Sequence, residues 1–519
     1  MAKETPKKPR SLVMNTVILG AWTLLSRGAG LARDVLMAGY LGTGAAADAF
    51  NVAFSLPNMF RRFFAEGAFN QAFVPIYAKK LEAGEDSARF ASDAFSGLAF
   101  VLLIVTLIGT LAMPWLVWAM AAGFVGDERF DLSVGFGRIT FVYLLFISLV
   151  ALLSGVMNAH GRFSEAGFVP ILMNLIFIAA IGLAVWLGWD IGQTLAWTVP
   201  VTGVAQLAFT WFAAHRIGFR LPLHWPRWTP DLKHLLITAG PAVLAGGVVQ
   251  VNLLVGRQVA SFTEGAVSWL VYADRLYQLP LGVVGIAVGT VLLPDLARRL
   301  RAGDEAGGQA SLNRSLEFAL ALTLPAAVAL VVIAHALIFV VYQRGAFGPA
   351  STDATALALA IYGAGLPAFV LQKVWQPLYY AREDTRRPFQ FALLAMVVNG
   401  ALAVGLMPYI GFAAAAVATT VAAWIMLAQL IWGARNLGIA VQLDARSRAR
   451  LPRIVMASAL MGGVLYGASI LLAPWLYDFG WRYGALAGLI ALGIVTYFGS
   501  GAAIGAFKLS DFRALKRGQ

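Results

Sequence analysis

The chain has 519 residues, of which 60% are hydrophobic and only 13% charged, with a mean hydropathy of +0.75 and a formal net charge of +13. A soluble domain carries about 25% charged residues, so this composition excludes a soluble enzyme and predicts an all-α polytopic membrane protein with no soluble domain. With no cysteine there are no disulfides, thiol nucleophiles or cysteine metal sites, and in so apolar a chain the positive charge reads as membrane topology, not nucleic-acid binding.

In chain order, apolar stretches bounded by Gly, Pro and charge fall at 12–40, 46–76, 90–120, 132–157, 164–188, 193–214, 234–256, 266–294, 315–342, 353–380, 388–407, 411–433, 454–474 and 483–507, which predicts fourteen transmembrane helices. The basic leader MAKETPKKPRSLVMN runs into an apolar stretch longer than a signal peptide and lacks a small-residue cleavage site, so the first span is expected to be retained. With the N-terminus in the cytoplasm, 28 Lys and Arg fall in inside segments and only Arg129, Arg257, Arg344 and Arg482 in outside loops. That asymmetry predicts both termini inside.

Seven basic residues remain within or at the edges of spans: Arg27, Arg33, Arg61, Arg62, Arg138, Arg275 and Lys373. An arginine at the bilayer centre costs about 2.5–3.5 kcal/mol on the most lenient scale, so these positions need a reason. Span 1 carries Arg27, Arg33 and Asp34 in SRGAGLARD, where Gly28 and Gly30 favour a bend or an unwound turn. Span 2 follows with Asp48, Pro57, Asn58, Arg61, Arg62 and Glu66 in DAFNVAFSLPNMFRRFFAEGAFNQAF. Arg138 lies near the outer end of span 4, where it can snorkel. Span 8 brings Ser268, Asp274 and Arg275 in SWLVYADRLYQLP, with a second expected break at Pro280 and Gly282. Lys373 sits deep in span 10.

Broken helices at membrane depth are tolerated where protein or a water-filled cavity receives the freed backbone, so spans 1, 2 and 8 are expected to line a hydrated basic cavity. Arginine's planar fork grips phosphate with two bonds, which points to an anionic group, a phosphate or diphosphate. The architectural alternative pairs Arg33 with Asp34, Arg62 with Glu66 and Arg275 with Asp274.

The end of span 2, PIYAKKLEAGE (75–85), matches the end of span 8, PDLARRLRAGD (294–304), in register at an offset of 219 residues. A weaker echo links NAHGRFSEAGFVPILMN (158–174) with YAREDTRRPFQFALLAMVVN (380–399). Each echo spans six helices, an even number, which predicts two parallel repeats: a lobe over 1–222, a lobe over 223–440, and spans 13 and 14 with the tail (441–519) outside the repeat. Transporters built from repeats hold substrate near the membrane midplane between them.

Enzymatic readings find no support. His160, His215, His224, His234 and His335 are scattered without metal-ligand spacing, and no P-loop, GxSxG or HExxH occurs. LGVVGIAVGT (281–290) has the glycines of a dinucleotide loop but no preceding strand, and small residues there suit close helix packing. No cofactor or metal is expected. Lacking an ATPase domain, active transport would have to draw on an ion gradient or the membrane potential.

SRGAGLARD, DAFNVAFSLPNMFRRFFAEGAFNQAFVPIYA and VSWLVYADRLYQLPLGVVGIAVGTVLLPDLA closely resemble the MurJ (MviN) family of bacterial lipid II flippases, within the multidrug/oligosaccharidyl-lipid/polysaccharide exporter superfamily. The resemblance runs along essentially the whole chain. It implies two six-helix lobes in a V shape plus spans 13 and 14, whose groove would receive a polyprenyl tail. It implies a bacterial inner-membrane protein that moves undecaprenyl-diphosphate-linked disaccharide-pentapeptide to the outer leaflet for peptidoglycan synthesis.

It also implies that Arg27, Arg33, Arg61 and Arg275 are the important cavity residues, with Asp48 and Asp274 as charge-balancing acids beside them. The residues themselves add Asn58 and Ser268 as expected substrate contacts, and Asp34, Arg62, Glu66, Gln278 and Lys373 as expected charge-balancing or gating positions. Two positions depart from many relatives, Ser55 in place of a lysine and Gln278 in place of an acid. Span 7 offers only amides such as Gln250 and Asn252 where some relatives have sodium-binding carboxylates, which favours coupling to membrane potential. The expected partners are lipid II, membrane lipids and cell-wall synthesis enzymes, with no nucleic acid. Two other functions fit the same residues: a flippase for another undecaprenyl-diphosphate glycan, such as an O-antigen or capsule unit, and a non-transporting cell-wall scaffold.

Overall fold

The computed structural model describes residues 12–62, 68–216, 218–219 and 224–507, and within these the side chains outside 12–19, 68–71, 239–253 and 283–294. The described chain is helical: α1 (Leu12–Leu41), α2 (Ala45–Arg61), α3 (Ala68–Glu82), α4 (Ser87–Leu111), α5 (Met113–Met120), α6 (Glu128–Thr140), α7 (Tyr143–Ala159), α8 (Phe163–Leu187), α9 (Ile191–Arg216) and α10 (Pro230–Ala260). The order continues with α11 (Ala266–Arg301), α12 (Glu305–Val332), α13 (Ala334–Tyr342), α14 (Pro349–Tyr380), α15 (Arg386–Ile410), α16 (Ala413–Ala434), α17 (Ala445–Leu471), α18 (Ala473–Leu476) and α19 (Arg482–Ala503). Among the described residues the only extended pairing is an isolated bridge between Arg344 and Phe347.

Ten helical stretches among these residues are long and apolar enough to cross a membrane. Their outward faces carry large apolar side chains such as Leu107, Trp186, Val397 and Val495, all well exposed. In water such surface would aggregate; in a bilayer it is the face presented to lipid. The chain forms two compact units that divide between Val267 and Ser268. In the first, Phe50, Phe136, Tyr143, Phe177 and Val199 build a core where α2, α6, α7, α8 and α9 meet. In the second, Phe339, Met461, Leu465, Leu489 and Tyr497 join α13, α17 and α19.

α10 packs on α3, α4 and α5 and so lies in the first unit. The attachment at its C-terminal end is polar. The Ala122 N–H donates to Gln258 Oε1 at 2.6 Å and the Gly123 N–H to Ser261 Oγ at 3.0 Å. Gly123 is required there, because a Cβ would come within 2.6 Å of the Phe262 backbone nitrogen.

Two expected breaks do not form. α1 runs unbroken through Gly28 and Gly30. It packs along α8, whose Asn174 Nδ2 donates to the Ser26 carbonyl at 3.1 Å, 3.6 Å from where a Gly30 Cβ would sit. That packing, with a hydrogen bond worth about 1 kcal/mol, overrides the low intrinsic propensity of two glycines. α11 likewise continues through Pro280 and Gly282. A proline inside a helix removes one N–H donor without ending the helix when neighbouring turns are held.

The repeat is written into the backbone. Left-handed turn residues stand between helices of the first repeat at six places, Gly42, Gly84, Gly126, Gly161, Gly188 and Gly218. Counterparts follow 219 to 223 residues later at Gly265, Gly303, Gly345, Glu383, Gly411 and Gly438, and Gly505 stands outside the pattern after α19. Hydrogen bonds recur with them. Glu85 N–H to Lys80 O and Asp304 N–H to Arg299 O are the same bond shifted by 219 residues, and so are the ion pairs Lys80–Glu85 (3.0 Å) and Arg299–Asp304 (3.6 Å).

The hydrogen bonds from Lys80 to Glu85 and to Asp231 push its ammonium pKa up. At the equivalent end of α11, desolvation pushes the Asp295 carboxyl up, but hydrogen bonds from Arg298, Arg299 and Ser311 outweigh it and hold the group at about 2. The second echo is equally exact in its bonding: Arg162 N–H to Met157 O corresponds to Asp384 N–H to Tyr379 O, at an offset of 222.

Glu383 is the only non-glycine with positive φ among the described residues, at +62°. A left-handed conformation costs an L-residue about 1–2 kcal/mol. Glu383→Gly, the residue its repeat partner Gly161 already has, is therefore expected to raise the melting temperature of the purified protein, by about 1 kcal/mol of stability after glycine's own entropy cost. An unchanged or lower melting temperature would contradict this strain.

Candidate functional site: two joined arginine pockets

Arg27 lies one turn beyond Trp22 and Thr23 on the face of α1 that meets α8. These residues, with Ser26 of α1, Asn158 of α7, and Phe163, Gly167 and Pro170 at the start of α8, line a pocket of ≈ 520 Å³. Gly167 makes the close approach possible, since a Cβ there would stand 3.1 Å from three atoms of Trp22. Arg61, in the last turn of α2, lines a second pocket of ≈ 440 Å³ together with Tyr143, Ser154, Asn158, Met173 and Gln206. Asn158, Ala166 and Pro170 line both pockets, which are therefore contiguous. The charged side chains lining the two pockets are both arginines, placed by two different helices around one wall of α7 and α8.

The other expected site residues of the first unit have different surroundings. Arg33 and Asp34 are buried and paired, with Nη2 to Oδ1 at 2.7 Å and Nε to Oδ1 at 3.0 Å, and the guanidinium lies 5.6 Å from the Phe177 ring centre. The Phe177 contact joins α1 to α8. Asp48 is fully buried on α2. It accepts the Gly265 N–H at 2.7 Å and faces Arg129 Nη1 at 3.7 Å. Asn58 is half-buried and donates back to the Phe54 carbonyl at 2.8 Å, as Ser55 does to Asn51 at 2.5 Å. Arg62 is exposed where α2 ends, and Glu66 lies outside the described residues, as do the side chains of Gln250 and Asn252.

Arg129 and Arg482, two of the four basic residues in predicted outside loops, are buried. Arg129 also binds Asp127 and stacks 4.3 Å over Phe124, while Arg482 donates to the Gln343 carbonyl at 3.0 Å and lies over Phe479. Arg344 donates to the Val340 carbonyl at the end of α13. These exceptions to the charge asymmetry hold helix ends together.

In the second unit, Ser268 is fully buried, Asp274 accepts a hydrogen bond from Gln278 one turn on, and Arg275 and Gln278 are exposed on α11. Lys373 is exposed on α14. The 222-residue offset that aligns the turn at Gly161 with that at Glu383 sets Lys373 opposite Ala151, Gln376 opposite Ser154 and Tyr380 opposite Asn158. Lys373 thus occupies, in its own unit, the helix face that lines the Arg61 pocket in the other.

Residues 37–484 match the sequence profile of the family described as lipid II flippase MurJ. A probable lipid II flippase MurJ from Rhizobium meliloti is 46% identical over 98% of this chain and 97% of its own length. The chain belongs to the MurJ family. A solved structure of lipid II flippase MurJ in an inward closed conformation is similar with a TM-score of 0.78 at 26% identity, over 94% of this chain and 98% of that one. An inward-facing multidrug resistance MATE transporter of the MOP superfamily, 11% identical with a TM-score of 0.67 over 82% of this chain and 98% of its own, shares the fold. The MurJ relatives are named as flippases, so this multi-pass membrane protein is a transporter and not an enzyme.

Reading charge alone finds Arg27 and Arg61 in this MurJ-family chain and misses the neutral polar residues beside them. Ser154 and Asn158 stand four residues apart on an otherwise apolar helix, a spacing that shares one face. Gln206 is buried and fixed by two bonds, accepting from the Tyr143 hydroxyl at 3.1 Å and donating to the Val169 carbonyl at 2.9 Å.

Proposed function

We propose that this chain flips lipid II, the undecaprenyl-diphosphate-linked disaccharide-pentapeptide of peptidoglycan synthesis, from the cytoplasmic to the periplasmic leaflet of the bacterial inner membrane. The observation that supports this most is the joined pair of pockets whose charged lining residues are Arg27 and Arg61. Two planar guanidiniums can each hold a phosphate with two charge-assisted bonds, and the low dielectric around them strengthens the attraction. The diphosphate would sit between them while the polyprenyl tail stays in lipid, and the head group would cross by alternating access. Arg275 and Lys373 give the second unit basic side chains on exposed faces of their own.

Family membership favours lipid II over an unrelated glycan as cargo. The 28-to-4 split of basic residues supports cytoplasmic termini, and cell-wall synthesis enzymes are the natural protein partners of such an activity. The driving force in this reading is the membrane potential. In cells depleted of their own lipid II flippase, this chain is expected to deliver lipid II to a membrane-impermeant degrading enzyme added outside, and to stop when the potential is collapsed at constant sodium. No delivery would contradict the function; delivery undiminished after collapse would contradict the coupling.

A further inference from the structure

The pocket beside Arg61 has a polar side that the charged residues do not account for. Ser154 and Asn158 project from one face of α7, both half-buried, and neither side chain has a hydrogen-bond partner among the described residues. An amide and a hydroxyl left open in a half-buried pocket lose free energy unless something polar reaches them. Gln206 stands on the same wall but is held in place by Tyr143 and Val169. Apart from Tyr143, the rest of the described lining is apolar, with Ile147, Val150, Ala151, Val169, Pro170 and Met173 among it. The volume, ≈ 440 Å³, falls within the range of about 300–1,000 Å³ in which ordered small-molecule sites are found.

We propose that this chamber, with Ser154 and Asn158 as its open polar groups beside Arg61, is a saccharide subsite that takes the N-acetylated sugar next to the diphosphate. A pyranose ring has an apolar C–H face for the aliphatic wall and an edge of hydroxyl and acetamido groups. A planar carboxamide supplies two donors and an acceptor, and a hydroxyl supplies one donor and accepts as well, which suits that edge. Asn158 lines both pockets, so it stands where a sugar carried on the arginine-bound phosphate would enter the chamber. Asn158 and Ser154 are positioning residues here, and the assignment rests on the diphosphate reading of Arg27 and Arg61.

The test is native mass spectrometry of the full chain, titrated with undecaprenyl diphosphate and with undecaprenyl diphosphate bearing a single N-acetylhexosamine. Wild type is expected to prefer the glycosylated lipid by about ten-fold, the scale of one or two neutral hydrogen bonds. Ser154→Ala/Asn158→Ala should erase that preference while retaining the bare lipid as wild type does, which also shows the variant to be folded. Ala151→Phe, which fills the chamber from its apolar wall, should erase it too. A preference that survives in both variants, or that wild type lacks, overturns the subsite. Bare-lipid retention unaffected by Arg27→Ala/Arg61→Ala would overturn the diphosphate reading itself, and the subsite with it.

Discussion

Replacing both Arg27 and Arg61 by alanine is expected to weaken lipid II binding at least about 100-fold. Each arginine offers charge-assisted hydrogen bonds worth about 1.5–3 kcal/mol, and 1.4 kcal/mol is ten-fold in affinity. Arg27 and Arg61 line pockets, whereas Arg33 is buried against Asp34 and Phe177. Arg33→Ala should instead lower the melting temperature, because it removes an ion-pair partner from a buried carboxylate, before it alters binding by the protein that remains folded. Arg27→Lys/Arg61→Lys keeps the charge but loses the planar fork, and should recover only part of the affinity. Equal binding by wild type and the alanine variant would make these arginines architectural.

Glu317→Ala is expected to destabilise the second unit by about 1–3 kcal/mol, the scale of the charge-assisted hydrogen bonds that converge on this one buried carboxylate from partly exposed arginines and Ser447. Glu317 is buried in α12, where it accepts from Ser447 Oγ at 2.7 Å, faces Arg446 Nε at 3.3 Å and Arg450 Nη1 at 3.4 Å, and pairs with Arg314. Arg446, Ser447 and Arg450 belong to the first turns of α17, where the helix dipole already disfavours positive charge. Asp444 caps that helix through the Ser447 N–H at 2.7 Å and also pairs with Arg314, so one carboxylate on α12 and one at the cap anchor the whole α17 start. The melting temperature of the purified variant checks this, and Glu317→Gln, which keeps an acceptor for Ser447, should fall between wild type and alanine. A melting temperature unchanged in Glu317→Ala would show the cluster to be solvated and energetically idle.

What the sequence reveals and what it conceals divide along physical lines. A charge in an apolar stretch is costly at that residue alone, so Arg27 and Arg61 stand out without any knowledge of their neighbours. The repeat is legible for a similar reason. KKLEAGE and RRLRAGD encode a local turn and a local ion pair, and both recur, at Gly84 with Lys80–Glu85 and at Gly303 with Arg299–Asp304.

Features set by distant partners are harder to read. Gly28 and Gly30 suggest a broken helix only while Asn174, 148 residues away from Ser26, is unknown as a packing partner. Arg129 looks like a loop cation, yet it faces Asp48 of α2 from the start of α6. Ser154 and Asn158 carry no charge and break no helix, and only the pocket that Arg61 shares with them gives them meaning.

In the proposed function this chain carries lipid II across a bilayer by means of the arginine pockets. The most direct measurement places the purified protein in liposomes containing fluorescent lipid II and follows its transfer by the loss of signal to an impermeant quencher, with a membrane potential imposed. Transfer well above that of protein-free liposomes for wild type, falling to the protein-free level for Arg27→Ala/Arg61→Ala, is the predicted result. Wild-type transfer no faster than in protein-free liposomes, or undiminished transfer by the double variant, would contradict it.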